Sequence, residues 1–192
     1  HSRMVTKKQA SPARSGTEDP RYAAIIMNPA TGEVYHSANA DERRYPASLT
    51  KMMTLYLLFE ALEKKKVRLN TEMDVSAYAA SMPQTNLHLS EGDEIPVEVA
   101  IKALVVRSAN DVSVVVAEKL AGDVNAFARQ MTAKAQALGM KNTVFKNPNG
   151  LPNTGQLTTA RDMAKLGIAL KRDFPKYYPY FSTLQFSHNG VT

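Results

Sequence analysis

Apolar residues fall along this chain in blocks of different period. Residues 22–27 (YAAIIM) form a short apolar run, and residues 33–37 (EVYHS) alternate in part. The turn-rich NPATG between them predicts a β-hairpin. Further on, Met52, Met53, Leu55, Tyr56, Leu57, Leu58, Phe59 and Leu62 leave almost no polar side to a helix. A helix apolar all round is a central, buried one, predicted over about residues 48–66. Lys64, Lys65 and Lys66 close it and suit the negative end of the helix dipole. Residues 71–94 break into short pieces. Helical periods return at 97–106, 109–121 and 124–138, the last framed by Asp123 as a cap and Gly139 as a stop. Thr158 or Thr159 opens another helix running to about residue 171, and residues 181–186 carry a strand pattern. Strands, then many helices, then a late strand predict an α+β fold.

Composition narrows the function classes. The net charge is +6, of which residues 1–21 carry +3. Residues 1–20 are polar and basic, so a disordered tail is expected, its first four residues (HSRM) a cloning remnant. The domain proper is expected over residues 21–192. A basic tail without interleaved aromatic residues argues against nucleic-acid binding. The absence of cysteine excludes disulfides, thiolate zinc sites and a thiol nucleophile. His1, His36, His88 and His188 lack metal-ligand spacing, so no metal is expected. No glycine-rich phosphate loop implies a cofactor, and no Gly-x-Ser-x-Gly motif is present. The nine methionines read as core filler.

One feature of the apolar helix calls for chemistry. In YPASLTKMMTLYLLF (residues 45–59), Lys51 follows Ser48 by three residues. A lysine here can snorkel to the surface or pair with a carboxylate. The alternative is catalytic. Positions i and i+3 share a helix face, with Cβ atoms about 5–6 Å apart, so the hydroxyl and the amine can meet. A nucleophilic serine needs an adjacent base, and burial lowers a lysine pKa toward that role. The helix N-terminus also favours negative charge developing on Ser48. Alone, Ser-x-x-Lys is a weak signal.

A second polar interruption lies 60 residues on, where Ser108-Ala109-Asn110 splits the apolar run VVRSANDVSVVV. Ser108 capping the next helix would account for it structurally. A second hydroxyl near Lys51 could instead relay a proton to a leaving amine, and an asparagine amide could hold a substrate carbonyl. The two motifs together are far more specific than either. With them, the chain resembles the serine D-alanyl-D-alanine carboxypeptidases, the low-molecular-mass penicillin-binding proteins. The stretches LSEGDEIPVEVAIKALVV (89–106), FKNPNGLP (145–152), TTARDMAKLG (158–167) and FSTLQFSHNG (181–190) extend the likeness from about residue 22 to the end.

The resemblance implies a β-lactamase/transpeptidase-like fold, an antiparallel sheet flanked by a helical lobe. It also implies a role for each matching residue. Ser48 is the acylated nucleophile and Lys51 its base, Ser108 shuttles protons, and Asn110 positions substrate and orients Lys51. The implied substrate is a peptidoglycan stem peptide ending in D-Ala-D-Ala, in the periplasm or another extracytoplasmic compartment. β-Lactams are the implied mimics. The family's third motif, Lys-Thr-Gly on a site-lining strand, does not occur in these 192 residues. Asn153-Thr154-Gly155 has no strand pattern around it and reads as a loop. The expectation is therefore the N-terminal portion of a catalytic domain, with a further polypeptide segment completing the sheet and a possible membrane-surface anchor beyond. Two rivals stand beside this reading. A class A β-lactamase needs a glutamate to activate the deacylating water, yet residues 141–157 hold no acidic residue. A non-catalytic penicillin- or muropeptide-binding module fits the missing motif but not the intact serine and lysine set.

Overall fold

The computed structural model describes residues 24–27, 34–38 and 50–182. Strands β1 (Ala24–Met27) and β2 (Val34–Ala38) form the expected hairpin. They pair antiparallel, with Ala24 opposite Ala38 and a register shift between Ile26 and Met27.

Helix α1 (Thr50–Glu63) is buried everywhere except Met52, Glu60 and Glu63. It ends before the three lysines, which form a turn instead of its last residues. Lys64 N–H still donates to Glu60 O at 2.9 Å, but Lys65 takes a left-handed φ of 59°. Residues 48 and 49, the expected start of this helix, lie outside the described residues.

The stretch after α1 resolves into small pieces. Strands β3 (Glu72–Asp74) and β4 (Glu94–Pro96) pair antiparallel. Buried Met73 faces buried Ile95 there, while Glu72, Asp74 and Glu94 are exposed, the period of two expected of a half-buried strand. Between them lies the one-turn helix α2 (Ala77–Ala80), capped by Ser76 Oγ, which accepts from Ala79 N–H at 3.0 Å.

Four longer helices follow: α3 (Val97–Arg107), α4 (Asn110–Ala121), α5 (Val124–Ala137) and α6 (Ala160–Asp173). Asp123 caps α5 as expected, accepting from Ala126 N–H at 2.7 Å. Thr159 caps α6, accepting from Asp162 N–H at 3.1 Å. Gly139, at φ 83°, lets the chain turn away after α5. Helix α4 is the second central helix, buried from Asn110 through Ala117 and packed against α1, α2, α3 and α5. Helix α6 lies against α1 and against β1, so it joins the helical layer to the hairpin. Helices packed beside small antiparallel sheets make the α+β arrangement.

The expected strand at 181–186 does not form at its start. A 3-10 turn covers Tyr178–Tyr180, and Phe181 and Ser182 continue it as helix. Aromatic residues favour strands, but here they pack as a cluster. Phe181 lies 6.4 Å from Phe59 and 5.4 Å from Tyr178 between ring centroids. These ring contacts are made with the backbone in a helical conformation. Residues 183–186 lie outside the described residues.

Candidate active site

Lys51 sits in the first turn of α1 and is 5% exposed. Its Nζ donates to Asn110 Oδ1 at 2.9 Å and to the backbone carbonyl of Asn149 at 2.9 Å. Burial pulls the ammonium down from its ordinary 10.5 to about 8. Both partners are neutral oxygens, so neither ties the proton down as a carboxylate would. The lysine does not snorkel: it is a buried, hydrogen-bonded amine within reach of deprotonation near neutral pH.

Asn110 opens α4, and its side chain is fixed at both ends. Oδ1 faces Lys51, while Nδ2 donates to Pro83 O at 3.0 Å. Its backbone N–H donates to Thr85 O at 2.7 Å. One Nδ2 hydrogen stays uncommitted by these bonds, since a primary amide has two.

Ser108 does not cap the following helix. It ends α3 in a left-handed conformation (φ 54°, ψ 44°), and Ala109 takes the N-cap position of α4. A non-glycine residue with such a φ stores strain that its surroundings must maintain. Thr85 Oγ1 supplies part of this, donating to Ser108 O at 3.0 Å. Ser108 and Lys51 line the same cavity of about 430 Å³, whose walls are largely apolar, among them Met52, Leu55, Leu104 and Tyr178.

Ser48 lies outside the described residues. Of the four expected site residues, the structure joins Lys51 to Asn110 by a direct bond and places Ser108 on their shared cavity.

The Asn149 carbonyl was not expected. It belongs to a stretch, residues 144–157, closed by an isolated antiparallel bridge between Val144 and Leu157. The stretch is tied to itself. Gln156 Oε1 accepts from Lys146 N–H at 2.7 Å and Asn147 N–H at 2.9 Å, and Gly150 N–H donates to Asn147 Oδ1 at 2.8 Å. Its base is anchored to α6, where Asp162 Oδ2 accepts from Thr143 Oγ1 at 2.6 Å and Asn142 N–H at 2.8 Å. Its tip is anchored to α1, where Thr54 Oγ1 donates to Pro148 O at 2.7 Å. The signal available in sequence was Thr54, a hydroxyl one turn after Lys51 in an apolar helix. Asn153-Thr154-Gly155 is a turn, as expected, with Gly155 N–H donating to Asn153 Oδ1 at 2.9 Å.

Solved structures share this arrangement of elements. The D-alanyl-D-alanine carboxypeptidase DacD from Francisella tularensis superposes with a TM-score of 0.81 at 35% identity, covering 88% of this chain and 41% of that one. Penicillin-binding protein D2 from Listeria monocytogenes, solved in its ampicillin-bound form, gives 0.66 at 28% identity, covering 80% and 63%. The fold is that of the penicillin-binding proteins. The family model described as D-alanyl-D-alanine carboxypeptidase, peptidase S11, matches residues 8–191, and the chain belongs to this family. Among curated relatives, the carboxypeptidase DacF of Bacillus subtilis is 41% identical over 142 residues. The match takes in 74% of this chain but 36% of that protein, so the chain spans well under half of that relative's length.

Proposed function

We propose that the whole protein is a serine-type D-Ala-D-Ala carboxypeptidase that trims peptidoglycan stem peptides through an acyl-enzyme on Ser48, and that penicillin acylates the same serine. The observation that carries this reading is Lys51, buried and bonded to two neutral carbonyl oxygens. A neutral amine has two hydrogens and one lone pair. With both hydrogens engaged by Asn110 and Asn149, the lone pair is left to act as a base.

The steps follow. Lys51 takes the Ser48 hydroxyl proton as the serine oxygen bonds to the penultimate carbonyl carbon. The proton passes by way of the Ser108 hydroxyl to the departing D-Ala nitrogen, and the C–N bond breaks. Water then cleaves the ester and restores Ser48. Asn110 holds Lys51 through Oδ1 and has an amide hydrogen for a substrate carbonyl. With no acidic residue in residues 141–157, an acyl group left by a β-lactam departs slowly. Peptidoglycan places this work outside the cytoplasmic membrane. Attachment to the membrane surface, and a further segment completing the sheet and its third motif, belong to the same proposal; the greater length of the relatives supports the further segment.

The test uses the full-length protein. Intact mass after penicillin treatment should show one adduct on the peptide holding Ser48, and a stem-peptide substrate should release D-Ala. An adduct on another serine, or no release, defeats the proposal.

A further inference from the structure

Asp111 follows Asn110 and is 1% exposed. Every hydrogen bond described for its carboxylate comes from a backbone N–H. Leu87 N–H donates to both oxygens at 3.0 Å, Leu89 N–H to Oδ2 at 3.2 Å, and Val112 N–H to Oδ1 at 2.9 Å. Burying a carboxylate is costly unless its lone pairs are satisfied. Here Val112 lies in α4 itself, while Leu87 and Leu89 come from the segment whose Pro83 and Thr85 carbonyls bond to Asn110.

That segment has little else to hold it. Pro83, Gln84, Thr85 and His88 are exposed, and residues 81–89 form no strand or long helix. Leu87 and Leu89 are only partly buried against the core. Its remaining ties to the start of α4 are Thr85 Oγ1 on Ser108 O, Asn110 N–H on Thr85 O, and Asn110 Nδ2 on Pro83 O. The last of these decides which way the Asn110 amide faces. A side-chain amide turned over would offer N–H to Lys51 in place of oxygen.

We infer that Asp111 is a positioning residue for the lysine base: its carboxylate clamps residues 83–89 against α4, and the clamped Pro83 carbonyl keeps Asn110 Oδ1 on Lys51 Nζ. The inference rests on the proposed role of Lys51. Asp111 itself touches neither Lys51 nor, in this reading, the substrate. Asparagine at 111 would accept from one backbone N–H and oppose another with its own NH₂ group. The segment would loosen, and the amide of Asn110 would lose its fixed sense.

Loss of an oxygen partner disfavours the ammonium, so the Lys51 pKa falls. The neighbouring groups allow this to be read cleanly. Asn110 from α4 and Asn149 are uncharged, α6 contributes Gly167 and Leu170 to the cavity, and Arg107 at the end of α3 is the other charged lining residue described. Arg107 stays in place in the variant.

The experiment measures acylation by a fluorescent penicillin from pH 5 to 10, using full-length wild type and Asp111→Asn. A wild type that does not acylate defeats the proposed function and, with it, this inference. With an active wild type, Asp111→Asn is expected to acylate about 10- to 100-fold more slowly, the scale of a misplaced catalytic group. The acid limb of its profile should move to lower pH. A slower rate with an unmoved limb would mean a merely structural role and overturns the inference. Thr85→Val guards against a variant that does not fold, because Thr85 is exposed and its hydroxyl ties the same segment. It should keep the wild-type melting temperature, lose several-fold in acylation rate, and move the limb the same way. Wild-type acylation by Thr85→Val and Asp111→Asn alike also overturns the inference.

Discussion

Lys51 and Lys134 stand near opposite ends of helix α1, and the molecule treats them differently. Near the C-terminal end, Lys134 of α5 places Nζ 2.7 Å from Glu60 Oε2 and 5.7 Å from the ring centroid of Tyr56. This is an ordinary fastening between helices, with a carboxylate and a π-face for a cation that stays 24% exposed. At the N-terminal end, Lys51 is more deeply buried and, among the described residues, its hydrogen-bond partners are an amide oxygen and a backbone carbonyl. Stability alone would favour the first arrangement or an apolar residue, since an uncompensated buried cation is expensive. The second keeps the amine positioned while leaving its proton removable. The contrast separates a lysine that holds the fold from one suited to chemistry.

The largest effect should come from replacing the removable proton with a permanent one. Lys51→Arg preserves the charge but cannot act as a base near neutral pH. Penicillin acylation is expected to fall by about 10³-fold, within the range of general-base contributions, as read by intact mass over time. Near wild-type acylation would remove the lysine-base mechanism.

A second variant makes the N-terminal end of α1 resemble its C-terminal end. Asn110→Asp gives Lys51 a carboxylate and raises its pKa. Acylation at neutral pH should drop by about 10- to 100-fold, and the acid limb should move upward, opposite to the shift expected for Asp111→Asn. If the limb stays where it is in wild type, Asn110 does not set the protonation of Lys51.

The smallest effect belongs to the other lysine. Glu60→Gln removes the carboxylate from Lys134 and from Lys64, whose Nζ lies 3.8 Å from Glu60 Oε2, and should cost less than about 1 kcal/mol in chemical denaturation, the usual scale for pairs open to solvent. Acylation should be unchanged. A large loss of acylation would show that the two ends of α1 are coupled.

How far the sequence alone discloses this molecule varies by region. Helices α1 and α3 to α6 are visible because each repeats its apolar period over several turns, and Asp123, Thr159 and Gly139 mark the boundaries with the chemistry those boundaries require. Strands β3 and β4 are three residues each, too short for alternation to stand out. The aromatic run near residue 181 favours a strand locally, yet Phe181 meets Phe59 from a helical backbone. At the site, Lys51 and Asn110 are legible because their side chains interrupt apolar runs. Asp111 is less so, since an aspartate in the first turn of a helix is unremarked in any sequence. The carbonyls of Pro83, Thr85 and Asn149 cannot be read at all, because every residue type carries one.

That last point bears on how the site could be damaged. The oxygen that Asn149 offers to Lys51 is specified by no codon, so exchanging the residue's side chain leaves the atom present. What fixes its position is a count: the number of residues from the anchor at Thr143 to the tip at Pro148, and back to the bridge at Leu157. Inserting or deleting one residue within that span slides the wrong carbonyl over Lys51, even if every letter of the Ser-x-x-Lys and Ser-x-Asn motifs survives. This part of the site is vulnerable to shifts in length before it is vulnerable to spelling.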